Sequence, residues 1–377
     1  MTKIDAYKIL EENIADKGNR PIFFIGSGMT RRYLKGPNWK GLLEQLITKA
    51  SITKPYEYFI QKCNGNFEKI ASVLQDIYFE KAWEDKKQYK KEYYTDDFDK
   101  SIYLKDNIAN IFIQLAKNFD SKPFLNELEL LSRTNPAAII TTNYDELLEK
   151  YIFKSFKTII GQRIISETTK GKNGKILKIH GCVTKPNSIV ITEEDYENFI
   201  DNQKYLSAKL LAYFVEYPIV IMGYSLSDRN ILGILETISE IDFFGKSRKQ
   251  KASNIWFISY SRSNLDKINE LQEKEITLPN NKTLYINYMN VMTYNKLFES
   301  IVETNKYPYS ITSVANELGY DHWKQIEKYM KIIEKKKGKR IEDIKRYCAE
   351  YKNIKRYSED FVKEIRKARK YYAQQKI

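Results

Sequence analysis

The fold is decided by residues 137–149, which read Ala137-Ala138-Ile139-Ile140-Thr141-Thr142-Asn143-Tyr144-Asp145-Glu146-Leu147-Leu148-Glu149. A short apolar run, a polar turn and a helical pattern predict a strand, a tight loop and a helix. Open α/β sheets bind ligands at such a junction, outside the carboxyl ends of the strands. Asn143 carries a carboxamide that can both donate and accept hydrogen bonds. The alternative is that Asn143 and Asp145 only cap the helix, as Asn and Asp often do.

Apolar strands and helical segments alternate along most of the chain. The pattern predicts strands at 21–25, 137–142, 158–165, 176–179, 188–191, 217–222, 254–258 and 283–286. Helices are predicted at 3–17, after Pro37, at about 203–214 and at 228–240, and a mostly helical insert fills about 52–132. This alternation predicts an α/β fold with a doubly wound, Rossmann-like parallel sheet.

The alternation ends near residue 305, and the charge changes at the same place. We therefore expect one domain over residues 1–305 and a basic helical C-terminal extension over 306–377, with Pro308 at the boundary. Residues 306–377 hold 20 Lys or Arg and 10 Asp or Glu, so they contribute +10 of the net charge of +14. Such an extension favours an anionic partner, nucleic acid or an acidic protein face. The alternative is a solvated helical surface.

Composition excludes several classes of protein. No apolar run approaches the roughly 18 residues of a membrane span. The N-terminus, Met1-Thr2-Lys3-Ile4-Asp5, opens a polar amphipathic helix without the apolar segment of a signal peptide. We therefore expect a soluble cytoplasmic protein. The three cysteines, Cys63, Cys182 and Cys348, are widely spaced and form no CxxC, which argues against a disulfide framework and a structural zinc site.

Four of the predicted strands end in small or chemically active residues. These ends are Gly26-Ser27-Gly28, Thr142-Asn143-Tyr144-Asp145, His180-Gly181 and Gly223-Tyr224-Ser225. Because the carboxyl ends of parallel strands lie along one edge of a sheet, the four ends are expected to form one pocket.

Each of these ends also has a purely structural interpretation. Gly26 and Gly28 would let the backbone approach a phosphate, or they would form a turn. His180 is a candidate general base, or it is a satisfied core histidine. Ser225 and Asp228 would contact a ligand, or they would cap a helix.

Phosphate-binding glycines, an asparagine and one histidine suit the cleavage of a dinucleotide at its glycosidic bond. Breaking the bond between nicotinamide and ribose passes through an oxocarbenium-like state, as other glycosyl transfers do. The leaving group is already cationic, so no general acid is needed. Hydride transfer fits less well, because Arg31 stands where the third glycine of GxGxxG is expected.

Four motifs, in the order in which they occur, resemble those of the sirtuins across about residues 20–230. Gly26-Ser27-Gly28-Met29-Thr30 is similar to the sirtuin GAG-x-S motif, and Thr141-Thr142-Asn143-Tyr144-Asp145 is similar to TQNID. His180-Gly181 is similar to the catalytic HG, and Gly223-Tyr224-Ser225-Leu226 is similar to GTSL.

The departures from the sirtuin pattern are informative. Thr142 stands where sirtuins have Gln, and Gly36-Pro37-Asn38-Trp39 loosely replaces the loop that carries Asp-Phe-Arg in deacylases. The four zinc cysteines are absent from the sequence. With Pro37, Trp39 and Asp228, the pattern resembles instead the bacterial sirtuin-like NADases of anti-phage defence.

This resemblance implies hydrolysis of NAD+ to ADP-ribose and nicotinamide, with NAD+ as the substrate and no metal. It implies Asn143 and His180 as the catalytic pair. NAD+ contacts are implied for Gly26, Ser27, Gly28, Thr30, Thr142, Asp145, Gly223, Ser225 and Asp228. It also implies large assemblies, formed either by self-association as a homo-oligomer or with a partner. A stand-alone subunit of this size resembles the type that is paired with a HerA-like hexameric ATPase.

Two other functions stay open at this point. A protein deacylase or ADP-ribosyltransferase would use the same fold, but the missing zinc module and the altered loop at Pro37 count against it. The chain could instead sense NAD+ or ADP-ribose within a DNA-binding or nuclease complex, with its basic extension binding DNA. Residues 311–320 faintly resemble a helix-turn-helix entry, but ordinary helix-turn packing accounts better for so short a match. Intact Asn143 and His180 count against a passive sensor, and no carboxylate cluster suits catalytic Mg²⁺.

Overall fold

The computed structural model describes residues 5–17, 19–161, 174–201, 210, 212–214, 216–226, 229–240, 249–261 and 268–306. Within these residues, eight strands form one sheet: β1 (Ile22–Ile25), β2 (Ala138–Thr141), β3 (Lys157–Ile160), β4 (Lys175–Lys178), β5 (Ile219–Met222), β6 (Lys249–Tyr260), β7 (Gln272–Thr277) and β8 (Thr283–Val291). Their order across the sheet is β3-β4-β2-β1-β5-β6-β8-β7. β7 and β8 run antiparallel, and the other described neighbours are parallel.

Helices connect the strands. The described helices are α1 (Ala6–Lys17), α2 (Ser27–Leu34), α3 (Trp39–Lys49), α4 (Tyr56–Lys62), α5 (Phe67–Glu84), α6 (Ile102–Lys117), α7 (Leu125–Arg133), α8 (Glu193–Asp201), α9 (Arg229–Glu240) and α10 (Asn295–Lys306). Short 3₁₀ helices cover Lys91–Tyr94, Lys122–Phe124 and Pro186–Ser188, and a π-helical turn covers Leu148–Ile152. The prediction of an α/β, Rossmann-like fold is confirmed.

Strand β1 lies at the centre of the sheet, and its register places the strand ends together. Ile25, its last residue, is opposite Thr141 of β2 and Met222 of β5. Thr141 is in turn opposite Lys178 of β4. The loops after β1, β2, β4 and β5 therefore leave the sheet along one edge, as the sequence predicts. Since β2 to β4 lie on one side of β1 and β5 to β8 on the other, this edge contains the switch point of the topology.

Alternate side chains of the central strands pack into two different cores. Phe23 and Ile25 lie in a cluster with residues of α1, α7 and α10 on one face of the sheet. Ile22 and Phe24 lie in a cluster with residues of α9 on the other face. The strand is buried on both faces, which explains why its sequence is continuously apolar rather than alternating.

The helical insert has a core of its own. Helices α3 to α6 bury apolar side chains against one another, Leu43, Leu74 and Ile108 among them. Cys182, Val183, Ile189 and Ile191, which follow β4, pack into the same cluster. The insert is therefore attached to the chain segment that follows the predicted general base.

Some predicted elements differ from the structure. Residues 188–191 are not a strand, because Ile189 and Ile191 turn into the core of the insert instead of pairing with a neighbouring strand. Strand β7 was not predicted. Parts of the segments expected at 158–165 and 203–214 lie outside the described residues, as does the extension after Lys306. None of the helices in the described ranges combines the length and the apolar character that crossing a membrane requires.

Candidate active site

Hydrogen bonds fix the position of Asn143 just after β2, but one of its polar side-chain atoms has no partner among the described residues. It is 8% exposed, and its Nδ2 donates to the carbonyl of Gly26 at 3.0 Å. Its backbone N–H donates to Oγ1 of Thr141 at 3.0 Å, and that hydroxyl donates to the carbonyl of Ile25 at 2.7 Å. Oδ1 is buried and has no hydrogen-bond partner among the described residues. The protein thus fixes the orientation of the carboxamide and leaves a buried acceptor, which native proteins rarely do without a reason.

Both carboxylate oxygens of Asp145, two residues further on, accept hydrogen bonds within the protein. Oδ2 accepts from the hydroxyl of Thr30 at 2.5 Å, and Oδ1 accepts from the N–H of Leu147 at 2.9 Å. The contact with Leu147 is the cap-like bond that the alternative interpretation predicts for this residue. Thr30 and Asp145 join α2 to the loop after β2, and this gives them a positioning role. The NAD+ contacts predicted for both residues remain predictions.

Beneath the loop lies a buried ion pair that the sequence analysis missed. The side chain of Lys178 is completely buried, and its Nζ lies 2.9 Å from Oε1 of Glu149 and donates to the carbonyl of Asp145. Burial raises the pKa of Glu149, and the Lys178 ammonium opposes that shift. Burial alone would lower the pKa of Lys178, but the charges of Glu149, Cys182 and Asp145 raise it above its ordinary value. A lysine inside an apolar strand is the signal that points to such a pair.

His180 follows β4 at the same offset as Asn143 follows β2. It is 2% exposed, and the described residues offer its Nε2 no hydrogen-bond partner. The rings of Tyr196 and Phe199 stand edge-on to the imidazole, with centroids at 5.4 and 4.8 Å. Burial lowers the pKa of His180 to about 3, and the negative charge of Asp195 opposes that shift. The imidazole is therefore neutral at pH 7.

Gly181 forms the tight backbone turn that directly follows His180. Its φ is +88°, and a Cβ at this position would lie 2.1 Å from the carbonyl oxygen of Ser188. Only glycine fits both the left-handed backbone and the space. Since Nε2 of His180 has no partner within the described ranges, the contacts found there argue against the interpretation of a satisfied core histidine.

The glycines after β1 and β5 pack against one another. The N–H of Gly28 donates to the carbonyl of Gly223 at 2.8 Å, and a Cβ on Gly26 would lie 2.6 Å from that same oxygen. Gly223 has a φ of +75° and faces the carbonyl of Gly26. This close approach accounts for all three glycines as a structural turn. Phosphate contact remains a prediction for them and for Ser27, which is exposed at the first residue of α2.

The remaining predicted contacts are Thr142, Ser225 and Asp228. Oγ1 of Thr142 and the hydroxyl of Tyr224 are 3.0 Å apart, so the loops after β2 and β5 are bridged over the end of β1. Ser225 is exposed, and Asp228 lies outside the described residues. In the described part of the chain, no three residues of the His, Cys, Asp and Glu types are grouped to hold a metal ion.

The fold and these strand ends define an α/β protein of the Rossmann-like class, with its ligand edge at the carboxyl ends of the strands. Residues 137–278 match the SIR2-like domain. This segment includes Asn143, His180 and Gly223, and the turn at Gly26 precedes it. The prediction of a sirtuin-like domain is confirmed.

Named relatives match over parts of their length. Defense-associated sirtuin 2 of Bacillus subtilis is 27% identical over 173 residues, 42% of this chain and 16% of that protein. NAD(+) hydrolase ThsA of Bacillus cereus (strain MSX-D12) is 24% identical over 211 residues, 52% of this chain and 42% of that protein. NAD(+) hydrolase ThsA of Acinetobacter baumannii (strain 532279) is 27% identical over 113 residues, 29% of this chain and 23% of that protein. The chain spans less than half the length of each of these relatives.

Proposed function

We propose that the protein is an NAD+ glycohydrolase that cleaves NAD+ to ADP-ribose and nicotinamide and acts in anti-phage defence by NAD+ depletion. The observation that carries the proposal is a pair of buried polar atoms without partners among the described residues, Oδ1 of Asn143 and Nε2 of His180. They follow adjacent parallel strands at the same offset, at the edge where such sheets bind nucleotides. Oδ1 of Asn143 is an acceptor, and Nε2 of His180 is an acceptor in the tautomer that carries the proton on Nδ1.

Two acceptors suit this reaction, because its donors are hydroxyls. As the bond from the ribose carbon to nicotinamide breaks, the electron pair leaves with the nicotinamide nitrogen, which becomes neutral. A water oxygen bonds to the same carbon, and its proton must be removed. We assign Oδ1 of Asn143 to hold a ribose hydroxyl or that water, and Nε2 of His180 to accept the proton. The aromatic rings of Tyr196 and Phe199 keep bulk water away from the imidazole.

The names of the relatives support the same assignment. Two of them are named NAD(+) hydrolase and one is named a defence-associated sirtuin. Because the chain covers only part of each, the activity and the defence role are carried over as part of the proposal.

The proposal extends to location and assembly. NAD+ depletion requires access to the cytoplasmic NAD+ pool, so we place the protein there. We assign catalysis to residues 1–305 and assembly to the basic extension 306–377. The proposed contacts are self-association, a HerA-like hexameric ATPase and, through the basic side chains, nucleic acid.

Chromatography of the reaction products tests the proposal. The purified protein is incubated with NAD+, alone and with proteins co-expressed from neighbouring genes. We expect nicotinamide and ADP-ribose in equal amounts. If products form only when an acyl-lysine peptide is present, the protein is a deacylase and the proposal is wrong. Consumption of no NAD+ under any of these conditions would reject it.

A further inference from the structure

Helix α8 forms one wall of the site around His180. Tyr196 and Phe199 both lie on this helix, three residues apart, so they share one face of it. Their rings meet the imidazole edge-on, at interplanar angles of 90° and 83°. Helix α8 therefore supplies part of the apolar surroundings of the imidazole.

The N-terminus of α8 is anchored by a buried ion pair. Nζ of Lys105, on α6, lies 2.5 Å from Oδ1 of Asp195, and the two side chains are 5% and 17% exposed. The other oxygen of Asp195 accepts from the N–H groups of Ile191 and Thr192, each at 3.0 Å. One carboxylate thus ties the start of α8 both to the preceding loop and to the helical insert.

Other contacts attach this part of the chain to the same insert. The N–H of Glu193 donates to the hydroxyl of Ser72, on α5, at 3.1 Å. Ile189 and Ile191 pack into the core of the insert. The start of α8 is therefore positioned by α5 and α6, while its aromatic face lies against His180, which follows β4.

We propose that Lys105 and Asp195 are positioning residues for His180, which hold α8 so that its two rings keep the imidazole dry and oriented. The proposal rests on the proposed NAD+ cleavage. Desolvating two charges offsets most of their attraction, so a buried ion pair is a weak source of stability. Its geometry is specific, however, and breaking it leaves a buried charge without a partner. Loss of Lys105 is thus expected to displace α8.

The accessibility of His180 tests this without relying on activity. Diethyl pyrocarbonate modifies neutral, exposed imidazoles, and the chain contains only two histidines, His180 and His322, which peptide mass analysis separates. We expect the modification of His180 to be roughly tenfold faster or more in Lys105→Met than in the wild type. Should the single variant not fold, the double variant Lys105→Met with Asp195→Asn carries no buried formal charge at the pair and is measured instead.

Two matched controls separate positioning from general loss of stability. Lys100 lies 2.7 Å from Asp76 in an exposed pair, with side chains 45% and 63% exposed, so Lys100→Met should leave the modification of His180 unchanged. Arg32 and Glu127 form another buried pair, at 2.7 Å, which does not involve α8. Arg32→Met should lower the melting temperature without a comparable increase in modification of His180.

The kinetic readout is the split between kcat and KM for NAD+. We expect kcat of Lys105→Met to fall by roughly tenfold, with a smaller change in KM, because the imidazole loses its orientation while the substrate still binds. An unchanged modification rate of His180 in a folded variant overturns the proposal, and so does an increased kcat, which would show that α8 restrains His180. If the wild type cleaves no NAD+, the proposed function fails, and the modification rates still decide whether the pair positions α8.

Discussion

The burial of His180 leads to a quantitative prediction of how the unfolding free energy depends on pH. Burial lowers the pKa of His180 in the folded protein to about 3, against an ordinary value of 6.5. As the pH falls below 6.5, the unfolded chain binds a proton at this position that the folded chain does not bind until the pH approaches 3. The unfolding free energy is therefore retained above pH 6.5 and falls between pH 6.5 and pH 3.

The loss of unfolding free energy at pH 5 follows from how far this pH lies below the ordinary pKa of histidine. That pH is 1.5 units below 6.5, and one unit corresponds to 1.36 kcal/mol, so the loss is about 2 kcal/mol. Other groups also titrate in this range, and the variant His180→Gln removes the contribution of His180 alone. From pH 7 to pH 5, the wild type should lose about 2 kcal/mol more than His180→Gln.

Urea unfolding followed by circular dichroism measures both losses. The unfolding free energy of each protein is obtained at pH 7 and pH 5 by linear extrapolation, and the slopes must agree for the comparison to hold. Losses that agree within about 0.5 kcal/mol between the two proteins would refute the reasoning, because the imidazole would then be protonated in the folded state as easily as in the unfolded chain.

Three further predictions concern the turn, the buried pair and the chemistry. Gly181→Ala should cost about 2–5 kcal/mol in urea unfolding, from a φ of +88° and a clash with a backbone carbonyl, whereas Gly65→Ala, at a φ of +72° in open space, should cost about 1–2 kcal/mol. Glu149→Gln leaves the ammonium of Lys178 without its carboxylate and should cost about 3–5 kcal/mol, whereas Glu146→Gln, which breaks a more exposed pair, should cost under about 0.5 kcal/mol. Extensive EDTA treatment should leave NAD+ cleavage unchanged, and loss of activity that zinc restores would contradict a metal-free reaction.

The edge of the sheet that carries the candidate site was predictable from the sequence. Gly26, Asn143, His180 and Gly223 each come after a short apolar run, and parallel strands necessarily bring such positions to one edge. Local patterns were sufficient here because each strand is buried on both faces and is recognisable without its neighbours.

Features that depend on distant segments were not predictable. The pair between Lys105 and Asp195 joins residues that are 90 positions apart in the chain, and no local pattern links them. Residues 188–191 have the composition of a strand, but the insert offers them a core to pack against. Strand β7, Gln272–Thr277, is an edge strand with mostly exposed side chains, so its apolar signal is weak.

The rate of nicotinamide release from NAD+ tests the central claim most directly. Purified wild type, Asn143→Ala and His180→Ala are compared at saturating NAD+, with far-UV circular dichroism to confirm that each is folded. Both variants lose a group that we place at the reacting atoms, so each should release nicotinamide about 10²–10⁴-fold more slowly than the wild type. Release by either folded variant at a rate near that of the wild type would contradict the assignment of Asn143 and His180 to the chemistry.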